Sequence, residues 1–490
     1  MLTTRRYVDA GPIPTVESQS TYEALWWLPG DPEDKVSGKV HIHPEHGVQL
    51  VLNGVFGAHG SRLGSSSFSA EPVILGTQYS GAQFTLLECR EHKQEVPFGG
   101  GFQRQRFVAD RALIGHHFES PEDVRLEKFY IEVTHLKDWM RNVGLRQPER
   151  AERGFFIEYD TERATTIPEL RASLPSASVV VKSKPKILGG HSVEEPVGVE
   201  ISEWIEIIPD SPISVDTAIT SHVEPLIDFL TLATGAPNSL LHLKARHPEY
   251  KEESPEQPLK VHPTTDYPRF DWHSLFNRRK MLFLADDVRK RFQVVMDEWY
   301  SIYDGLEDVC DLFFGVHYNQ GMPITYRFLG VMRALETYHR VRFKKHELPQ
   351  GRHGERVKEI ISFIPPDYKH RQWANDVLYN SNYVSLKSRL IDLVEEERPS
   401  IDELVERPEA FAKWAKDTRN FYTHRDERSS MNIARGERLG LLTQSLLWIM
   451  RIHFMREVKF TPSQTEELLR ENDRFRVLTE ACADAPWNQN

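Results

Sequence analysis

The chain has 490 residues, of which 39% are hydrophobic, so it is long enough for roughly two to four domains with sizeable cores. Its 61 Lys and Arg residues against 72 Asp and Glu residues give a formal net charge of −11, which excludes nucleic-acid binding by overall charge and requires a local basic face for any RNA contact. Cys89, Cys310 and Cys482 are too far apart for a zinc site, and no signal peptide or membrane-spanning run is visible, so we expect a cytoplasmic protein with no membrane partner.

Alternating hydrophobic residues indicate that the first half of the chain is rich in β-strands. Val40 and Ile42 alternate with polar neighbours, and Val48, Leu50 and Leu52 repeat the pattern after a turn, as strands with one buried face do. Further candidate strands are residues 72–75, 83–88, 128–133, 155–159, 178–181 and 199–208. Short strands separated by turns predict a sandwich or a distorted barrel.

His41, His43 and His46 are a candidate metal cluster on the first predicted hairpin. Alternate residues of a strand share a face, but no carboxylate or cysteine at ligand spacing accompanies them. Exposed histidines are ordinary on strands, and a metal site needs a fuller set of ligands. We therefore predict no metal site and no cofactor.

The hydrophobic period changes from that of strands to that of helices near Ser221. Ser221 and Glu224 have the spacing of a capping box, and apolar residues then recur at helical spacing until Gly235. A short strand is predicted at residues 239–245. Residues 247–268 are polar and contain four prolines, which is typical of a linker or a long excursion. The sequence thus predicts a β-rich N-terminal domain over residues 1–268, with the linker at about 247–268.

Helical patterns dominate from Phe283 onward. Apolar residues every three or four positions between Val288 and Leu312 predict one long helix or a broken pair. Pro323 suits the first turn of another helix, and shorter helices are expected at residues 351–364, 369–378, 385–396, 408–422 and 432–458, with one more capped at Thr461. Such segments pack antiparallel through short loops. Residues 283–470 are therefore predicted to form an all-α helical bundle, and the whole chain an α+β protein.

Residues 419–424, with the sequence RNFYTH, contain the side chains best suited to chemistry on RNA. An arginine binds phosphate through a flat, permanently charged fork, and a histidine exchanges a proton near neutral pH. Arg419 and His424 could therefore cleave RNA without a metal. The alternative is a simple helix end, in which Phe421 and Tyr422 pack and the two charged side chains are solvated.

Spacing alone does not single out this stretch. An arginine precedes a histidine by five or six residues at three other places: Arg111 and His116, Arg333 and His339, and Arg340 and His346. We treat the first match as coincidence, because it lies in the β-rich half. The choice among the rest depends on structural context.

The helical geometry of the stretch predicts a second copy of the chain. Residues five positions apart on an ideal helix are separated by about 500°, so Arg419 and His424 would project about 140° apart. Either the backbone leaves helical geometry by Thr423, or two copies of the stretch face each other across a twofold axis. The second alternative predicts a homodimer or a larger homo-oligomer.

The helical half resembles HEPN ribonucleases, small helical domains that dimerise through an Arg-x4-6-His motif. The residue after the arginine is typically polar in that motif, as Asn420 is here. The resemblance is closer for the ApeA-type HEPN proteins of bacterial anti-phage defence. It is carried by residues 327–340 with the core ALE-x-YH, residues 385–395 with SL-x-x-RL-x-DL, and residues 417–424 with D-T-R-N-x-x-x-H.

The N-terminal half resembles the ApeA N-terminal domain. The matching pieces are, in order, Trp27-Leu28-Pro29-Gly30, Ser37-Gly38, Leu50-x-Leu52-x-Gly54, Ile74-x-Gly76 and Phe84-Thr85-Leu86. Taken together, the two resemblances span nearly the whole chain.

The resemblance implies a metal-independent endoribonuclease. Arg419 would hold the scissile phosphate, and His424 would deprotonate the ribose 2′-OH or protonate the leaving 5′-oxygen, giving a 2′,3′-cyclic phosphate. Asn420 would orient either group or merely cap the helix end. Glu336 and His339, three apart on one helix face, would support the site or serve only structure. The chemistry itself needs only alignment, proton transfer and electrostatic stabilisation.

One local basic stretch is a candidate RNA contact in a chain whose net charge is negative. Residues 340–358 contain seven Lys or Arg against Glu347 and Glu355. The candidate RNA-binding residues are Arg340, Arg342, Lys344 and Lys345, with Arg425 just beyond the RNFYTH stretch. The alternative is an ordinary solvated surface.

Two functions of different class follow from these patterns. In the first, the chain is an RNase effector that cleaves host RNA, with tRNA as a candidate by analogy, and its β-rich half responds to a phage-encoded trigger. In the second, it is a non-catalytic HEPN module for dimerisation or ligand sensing, and Arg419 and His424 are structural. The intact Arg-Asn-x-x-x-His sequence favours the first.

Overall fold

The computed structural model divides the chain into two compact units. It describes residues 20–43, 47–57, 70–95, 103–140, 145–146, 158–159, 169–188, 198–249, 259–263, 277–319, 321–424 and 432–489. The first unit contains Met1–Leu230 and Asn238–Phe276, and the second contains Thr231–Pro237 and Asn277–Asn490. The domain limits 1–268 and 283–470 remain a prediction from the sequence, separate from this geometric division.

Six strands at the start of the first unit close into a barrel. They are β1 (Ser20–Leu28), β2 (Asp31–His43), β3 (Gly47–Leu52), β4 (Ala70–Gln78), β5 (Gln83–Glu95) and β6 (Arg104–Ile114). All pairs are antiparallel in the order β6-β3-β2-β1-β4-β5, and β5 pairs with β6 as well. This last pairing closes the ring, so the barrel, one of the two predicted architectures, is confirmed.

The alternating residues of the barrel strands fill its interior. Val40 and Leu50, which the sequence places on one buried face, lie in the core with Trp26 and Phe84. A Cβ atom added to Gly76 would lie 2.4 Å from the Trp26 ring. A larger residue at position 76 would therefore displace the indole from the core.

Eight further strands are described in this unit. They are β7 (Lys128–Val133), β8 (Leu145–Arg146), β9 (Glu158–Tyr159), β10 (Leu170–Ser173), β11 (Ala177–Leu188), β12 (Gly198–Pro209), β13 (Leu240–Arg246) and β14 (Leu259–Pro263). β8 pairs with β9 in a small separate sheet, whereas the others extend the barrel sheet in the order β10-β11-β12-β7-β13-β14, with β14 beside β6. β14 thus occupies part of the segment that the sequence predicts as a linker or excursion.

The helix predicted to be capped by Ser221 begins earlier than expected. Short helices α1 (Leu136–Met140) and α2 (Val215–Ala218) precede α3 (Glu224–Thr234), and a π-helical turn joins α2 to α3. Ser214 is the cap, because its Oγ accepts a hydrogen bond from the Thr217 backbone N–H at 3.1 Å. The capping-box prediction at Ser221 is therefore wrong. The predicted stop is confirmed, since Gly235 follows α3 with a φ of +63°.

The second unit is mainly helical in its described residues. Its helices are α4 (Ala285–Val288), α5 (Phe292–Tyr318), α6 (Ile324–Phe343), α7 (Gln350–Ser362), α8 (Arg371–Tyr379), α9 (Leu386–Glu396), α10 (Arg398–Ile401), α11 (Pro408–His424), α12 (Glu437–Glu457), α13 (Pro462–Glu471) and α14 (Asp473–Ala483). α5 is kinked at Leu306, where φ is −137°, which agrees with the predicted broken pair. Thr461 caps α13 by accepting from the Gln464 backbone N–H at 3.3 Å, as predicted.

An aromatic cluster forms the centre of the helical unit. Trp299, Phe313 and Phe314 on α5 lie with ring centroids 5.2 to 6.1 Å from that of Phe454 on α12. α12 is buried on nearly all sides, as expected of a helix that is apolar all round. α6 packs against α5, α9, α11 and α12, and α11 packs against α9. None of the described helices is long and apolar enough to cross a membrane.

Candidate active site

The RNFYTH stretch forms the last turns of α11. Phe411, Ala412 and Ala415 are fully buried and fix this helix on its neighbours. Its C-terminal half is tied to the segment that precedes α12, because the Thr418 hydroxyl accepts from the Ala434 backbone N–H at 2.9 Å. The buried face of α11 and the hydrogen bond of Thr418 therefore fix the position of the next residue, Arg419.

The backbone remains helical through His424. The predicted helix from Pro408 to about Tyr422 is therefore confirmed, and the alternative in which the chain leaves helical geometry by Thr423 is wrong. On one continuous helix Arg419 and His424 project about 140° apart. Arg419 is half-buried and His424 is exposed. A single copy of the chain thus does not direct both groups at one phosphate.

Glu336 lies beside Arg419. Its Oε2 is 4.0 Å from Nη2 of Arg419, and its Oε1 accepts a hydrogen bond from Nη2 of Arg340 at 3.4 Å. Contacts of this length between half-exposed side chains contribute at most about 1 kcal/mol. They orient Arg419 without neutralising it strongly, so its guanidinium remains able to bind a phosphate.

Asn420 contacts Arg419 as well. Its Oδ1 accepts from Nη1 of Arg419 at 3.3 Å. Because α11 continues for another turn beyond Asn420, this residue does not cap the helix. Of the two roles considered from the sequence, the geometry therefore favours orientation of the arginine.

His339 points away from the arginine. The residue is 1% exposed, its ring is stacked on Phe343, and its Nε2 lies 2.9 Å from Oδ2 of Asp392. Burial lowers the pKa of His339, and the neighbouring Asp392 only partly opposes this. His339 is therefore a neutral packing residue that holds α6 to α9, and substrate does not reach it in this conformation.

Arg342 and Lys345 of the predicted basic stretch are paired with carboxylates. Nε of Arg342 lies 2.7 Å from Glu457, and Nζ of Lys345 lies 2.6 Å from Asp392. Burial would raise the pKa of Asp392, but hydrogen bonds from Lys345 and His339 outweigh it and lower that pKa.

Lys344 differs from these paired cations. It is exposed at the left-handed C-cap of α6, and it makes no ion pair within the part of the chain that the structure describes. Arg425 lies outside the described residues. Lys344 is thus the candidate whose charge is most available to RNA.

The other arginine and histidine matches have structural partners. Arg111 is paired with Asp216. Arg333 is exposed on α6, whereas the His339 that follows it is buried. His346 forms a β-bridge with Tyr383. None of these three matches, all within described ranges, places both groups on an exposed helix end as the RNFYTH stretch does.

Arg389 and Asp392 position α9 against α6, and the sequence analysis did not identify either of them as functional. Arg389 and Asp392 lie on α9, and Arg389 donates to the Val384 carbonyl at 3.0 Å and to the Glu336 carbonyl at 3.4 Å. Arg389 is 6% exposed. A charged residue at an apolar position of a helix needs a partner, and the SL-x-x-RL-x-DL pattern contains two of them. That pattern could have identified the contact between α9 and α6.

Three comparisons relate the chain to known proteins. The family model described as ApeA N-terminal domain 1 matches residues 21–299, which is more than half of the chain. The model described as Apea-like HEPN matches residues 329–464, and this range contains α11. We found no significant match among curated proteins or among solved structures.

Proposed function

Because the chain belongs to the ApeA family of HEPN proteins, we propose that it is a metal-independent endoribonuclease whose site is completed by a second copy of itself. The family indicates a HEPN nuclease of anti-phage defence, and HEPN domains commonly dimerise and act on RNA. We propose further that the protein is cytoplasmic, that Arg419, Asn420 and His424 form its site, and that it cleaves host RNA, with tRNA as a candidate.

The continuous helix through His424 is the observation that supports this proposal most. It separates Arg419 and His424 on one copy by about 140°, although the chemistry needs both groups at one phosphate. An isologous dimer interface places the same helix end of two copies together. Arg419 of one copy then faces the same phosphate as His424 of the partner subunit.

The proposed reaction uses the neighbouring 2′-OH of the RNA as the nucleophile. His424 takes the 2′-OH proton while the 2′-oxygen attacks phosphorus, and the bond to the 5′-oxygen breaks. Water donates the proton that the leaving 5′-oxygen needs. Arg419 stabilises the charge that develops on the non-bridging oxygens, and Asn420 and Glu336 hold its guanidinium. The products are a 2′,3′-cyclic phosphate and a 5′-hydroxyl.

The RNA path in this proposal begins beside α6. Lys344 at the C-cap of α6 contributes a free positive charge, and Arg340, Arg342 and Lys345 contribute less because carboxylates already bind them. Arg425 follows His424 directly in the chain and extends the path. The β-rich unit acts in this proposal as the part that responds to a phage-encoded trigger.

The runner-up is a non-catalytic HEPN module for dimerisation or ligand sensing. The cations that are paired with carboxylates and the buried His339 favour it, since paired charges and buried histidines serve the structure. In this alternative Arg419 and Glu336 join α11 to α6, and His424 is a solvated helix end.

A ribonuclease assay on the purified full-length protein in EDTA separates the two. The wild type is expected to cleave tRNA or single-stranded RNA, and His424→Ala is expected to lose at least about 10²-fold in rate through loss of acid–base catalysis. His346→Ala is the matched control, because His346 is exposed in the same unit and belongs to another spacing match. Equal cleavage by wild type and His424→Ala would reject the mechanism, and no cleavage by any of the three would favour the runner-up.

A further inference from the structure

A second cluster of arginines lines a cavity within the helical unit, away from the RNFYTH motif in sequence. The cavity has a volume of about 600 Å³ and lies among residues of α5, α6, α12, α14 and the turn that follows α3. Arg327, Arg451 and Arg474 line it together with His317. No Asp or Glu is among the described residues that line it.

Arg451 is held in place by neutral groups. Its Nη2 donates to Nε2 of His317 at 2.9 Å, and Nδ1 of His317 donates to the Phe313 carbonyl at 2.8 Å. Its guanidinium also lies 4.8 Å from the centroid of the Trp448 ring. These contacts fix the orientation of Arg451 but supply no negative charge.

The remaining arginines add positive charge to the same space. Nη1 of Arg474 donates to the Gly235 carbonyl at 2.6 Å. Nε of Arg327 is buried and has no hydrogen-bond partner in the described part of the chain. Burial, followed by repulsion from Arg474 and Arg327, lowers the pKa of Arg451 to about 9. Arg451 and Arg327 thus place positive charge in a poorly solvated space, which costs free energy unless an anion is bound.

We propose that this cavity binds a small phosphate-bearing molecule of nucleotide size. The fork of an arginine side chain matches phosphate oxygens and forms paired, charge-assisted hydrogen bonds. The forks of Arg451 and Arg327 suit a dianionic group better than a single carboxylate. Small-molecule pockets have volumes of roughly 300 to 1,000 Å³ and combine apolar walls with a few polar groups.

The apolar part of the lining accounts for the organic portion of the ligand. Leu441, Leu447 and Leu478 face the cavity together with Trp448. A phosphate alone would leave this wall empty, whereas a planar base or another apolar group covers it. We therefore expect a nucleotide to bind more tightly than inorganic phosphate, and an uncharged nucleoside to bind weakly or not at all. This site is independent of the proposed RNA cleavage.

Thermal unfolding of the full-length protein tests the proposal. Inorganic phosphate, adenosine 5′-monophosphate and adenosine are added at an ionic strength kept constant with chloride. Phosphate and the monophosphate are expected to raise the Tm of the wild type, because ligands that bind only the folded state stabilise it. Arg451→Met is expected to abolish both shifts and, without ligand, to have an equal or higher Tm, because it removes an uncompensated buried charge.

Arg476→Met is the matched control, since Arg476 lies on the same helix as Arg474 but is exposed and paired with Asp473. It should keep both ligand shifts. Titration calorimetry should give a Kd for the monophosphate that is at least about tenfold weaker in Arg451→Met than in the control. If Arg451→Met does not fold, Arg327→Met is expected to give the same loss.

Three results would overturn the proposal. The first is the absence of any Tm shift in the wild type with phosphate or the monophosphate. The second is an equal shift in wild type and Arg451→Met, which would indicate a general salt effect. The third is stabilisation by adenosine that matches stabilisation by the monophosphate, because the arginines would then have no role in binding.

Discussion

Two pairs of arginine and histidine in the helical unit differ in sequence spacing, contact and burial. Arg419 and His424 are five residues apart on one helix, yet they project about 140° apart and His424 is exposed. Arg451 and His317 are distant in sequence but are in direct contact at 2.9 Å, and both are buried. Proximity in the sequence and proximity in space are thus reversed between the pairs.

The comparison teaches that contact alone does not identify a catalytic pair. Burial, followed by the repulsion of Arg451, lowers the pKa of His317 to about 3. His317 therefore stays neutral at physiological pH and does not exchange protons in the way that acid–base catalysis requires. In the proposed function, a second copy of the chain completes the pair Arg419 and His424. We expect substitutions in the exposed pair to change activity, and substitutions in the buried pair to change stability and ligand binding.

The largest effect is expected at Arg419. Arg419→Ala should lower RNA cleavage by about 10²- to 10³-fold, because it removes a group that stabilises the charge developing in the transition state. Arg419→Lys should recover only part of this loss, since an ammonium does not reproduce a bidentate fork. Single-turnover cleavage rates measure both. Arg333→Ala is the matched control, because Arg333 is exposed on α6 and should leave the rate unchanged. An equal loss in Arg333→Ala would mean that the effect is not specific to the motif.

Burial of His317 beside Arg451 should make the free energy of unfolding depend on pH. The pKa of His317 is about 3 in the folded protein and about 6.5 in an unfolded chain. Between these values the unfolded chain binds a proton that the folded protein does not, so stability falls as the pH is lowered from 7 to 5. The loss attributable to His317 is about 2 kcal/mol. Arg451, Arg327 and Arg474 all repel the protonated ring and help to lower this pKa.

His317→Gln isolates that contribution. The variant removes the titrating ring, so the free energy of unfolding should fall less between pH 7 and pH 5 than in the wild type. Denaturant unfolding at both pH values measures the difference. RNA cleavage by the folded variant should stay near that of the wild type. A pH dependence identical to that of the wild type would contradict the buried, neutral state of His317.

The smallest effect is expected at the basic stretch. Lys344→Glu should weaken RNA binding and reduce the slope of log Kd against log salt by about one, because Lys344 is a free charge. Lys345→Glu should affect RNA binding less, since Asp392 already binds Lys345 at 2.6 Å. It should destabilise the fold instead, by bringing two carboxylates together. Fluorescence anisotropy with labelled RNA at several salt concentrations tests both, and equal slopes for wild type and Lys344→Glu would exclude this RNA path.

The sequence predicted those elements whose signals are local. The strand at Lys128–Val133 and the cap at Thr461 follow directly from alternation and from capping chemistry. Strand β6 was missed, because charged residues occupy its outward positions and interrupt the hydrophobic run. The cap at Ser221 was wrong because a π-helical turn continues the helix across a plausible start signal.

The sequence predicted the residues of the candidate site but not their long-range contacts. The chemistry of Arg419 and His424 is visible in their side chains, and Glu336 is about two turns before the end of α6. The partner of His339 is not visible, because Asp392 lies 53 residues away on another helix. The contact between His317 and Arg451 spans 134 residues. Such contacts are consequences of packing and have no periodic signature.

Mixed dimers test the central claim most directly, which is that two copies of the chain share one cleavage site. Copies with Arg419→Ala and copies with His424→Ala are produced together with different affinity tags, and the mixed assembly is purified. Our account predicts that each variant alone is inactive and that the mixed assembly regains RNA cleavage, because one intact arginine and one intact histidine meet across the interface. A mixed assembly as inactive as either variant alone would contradict it.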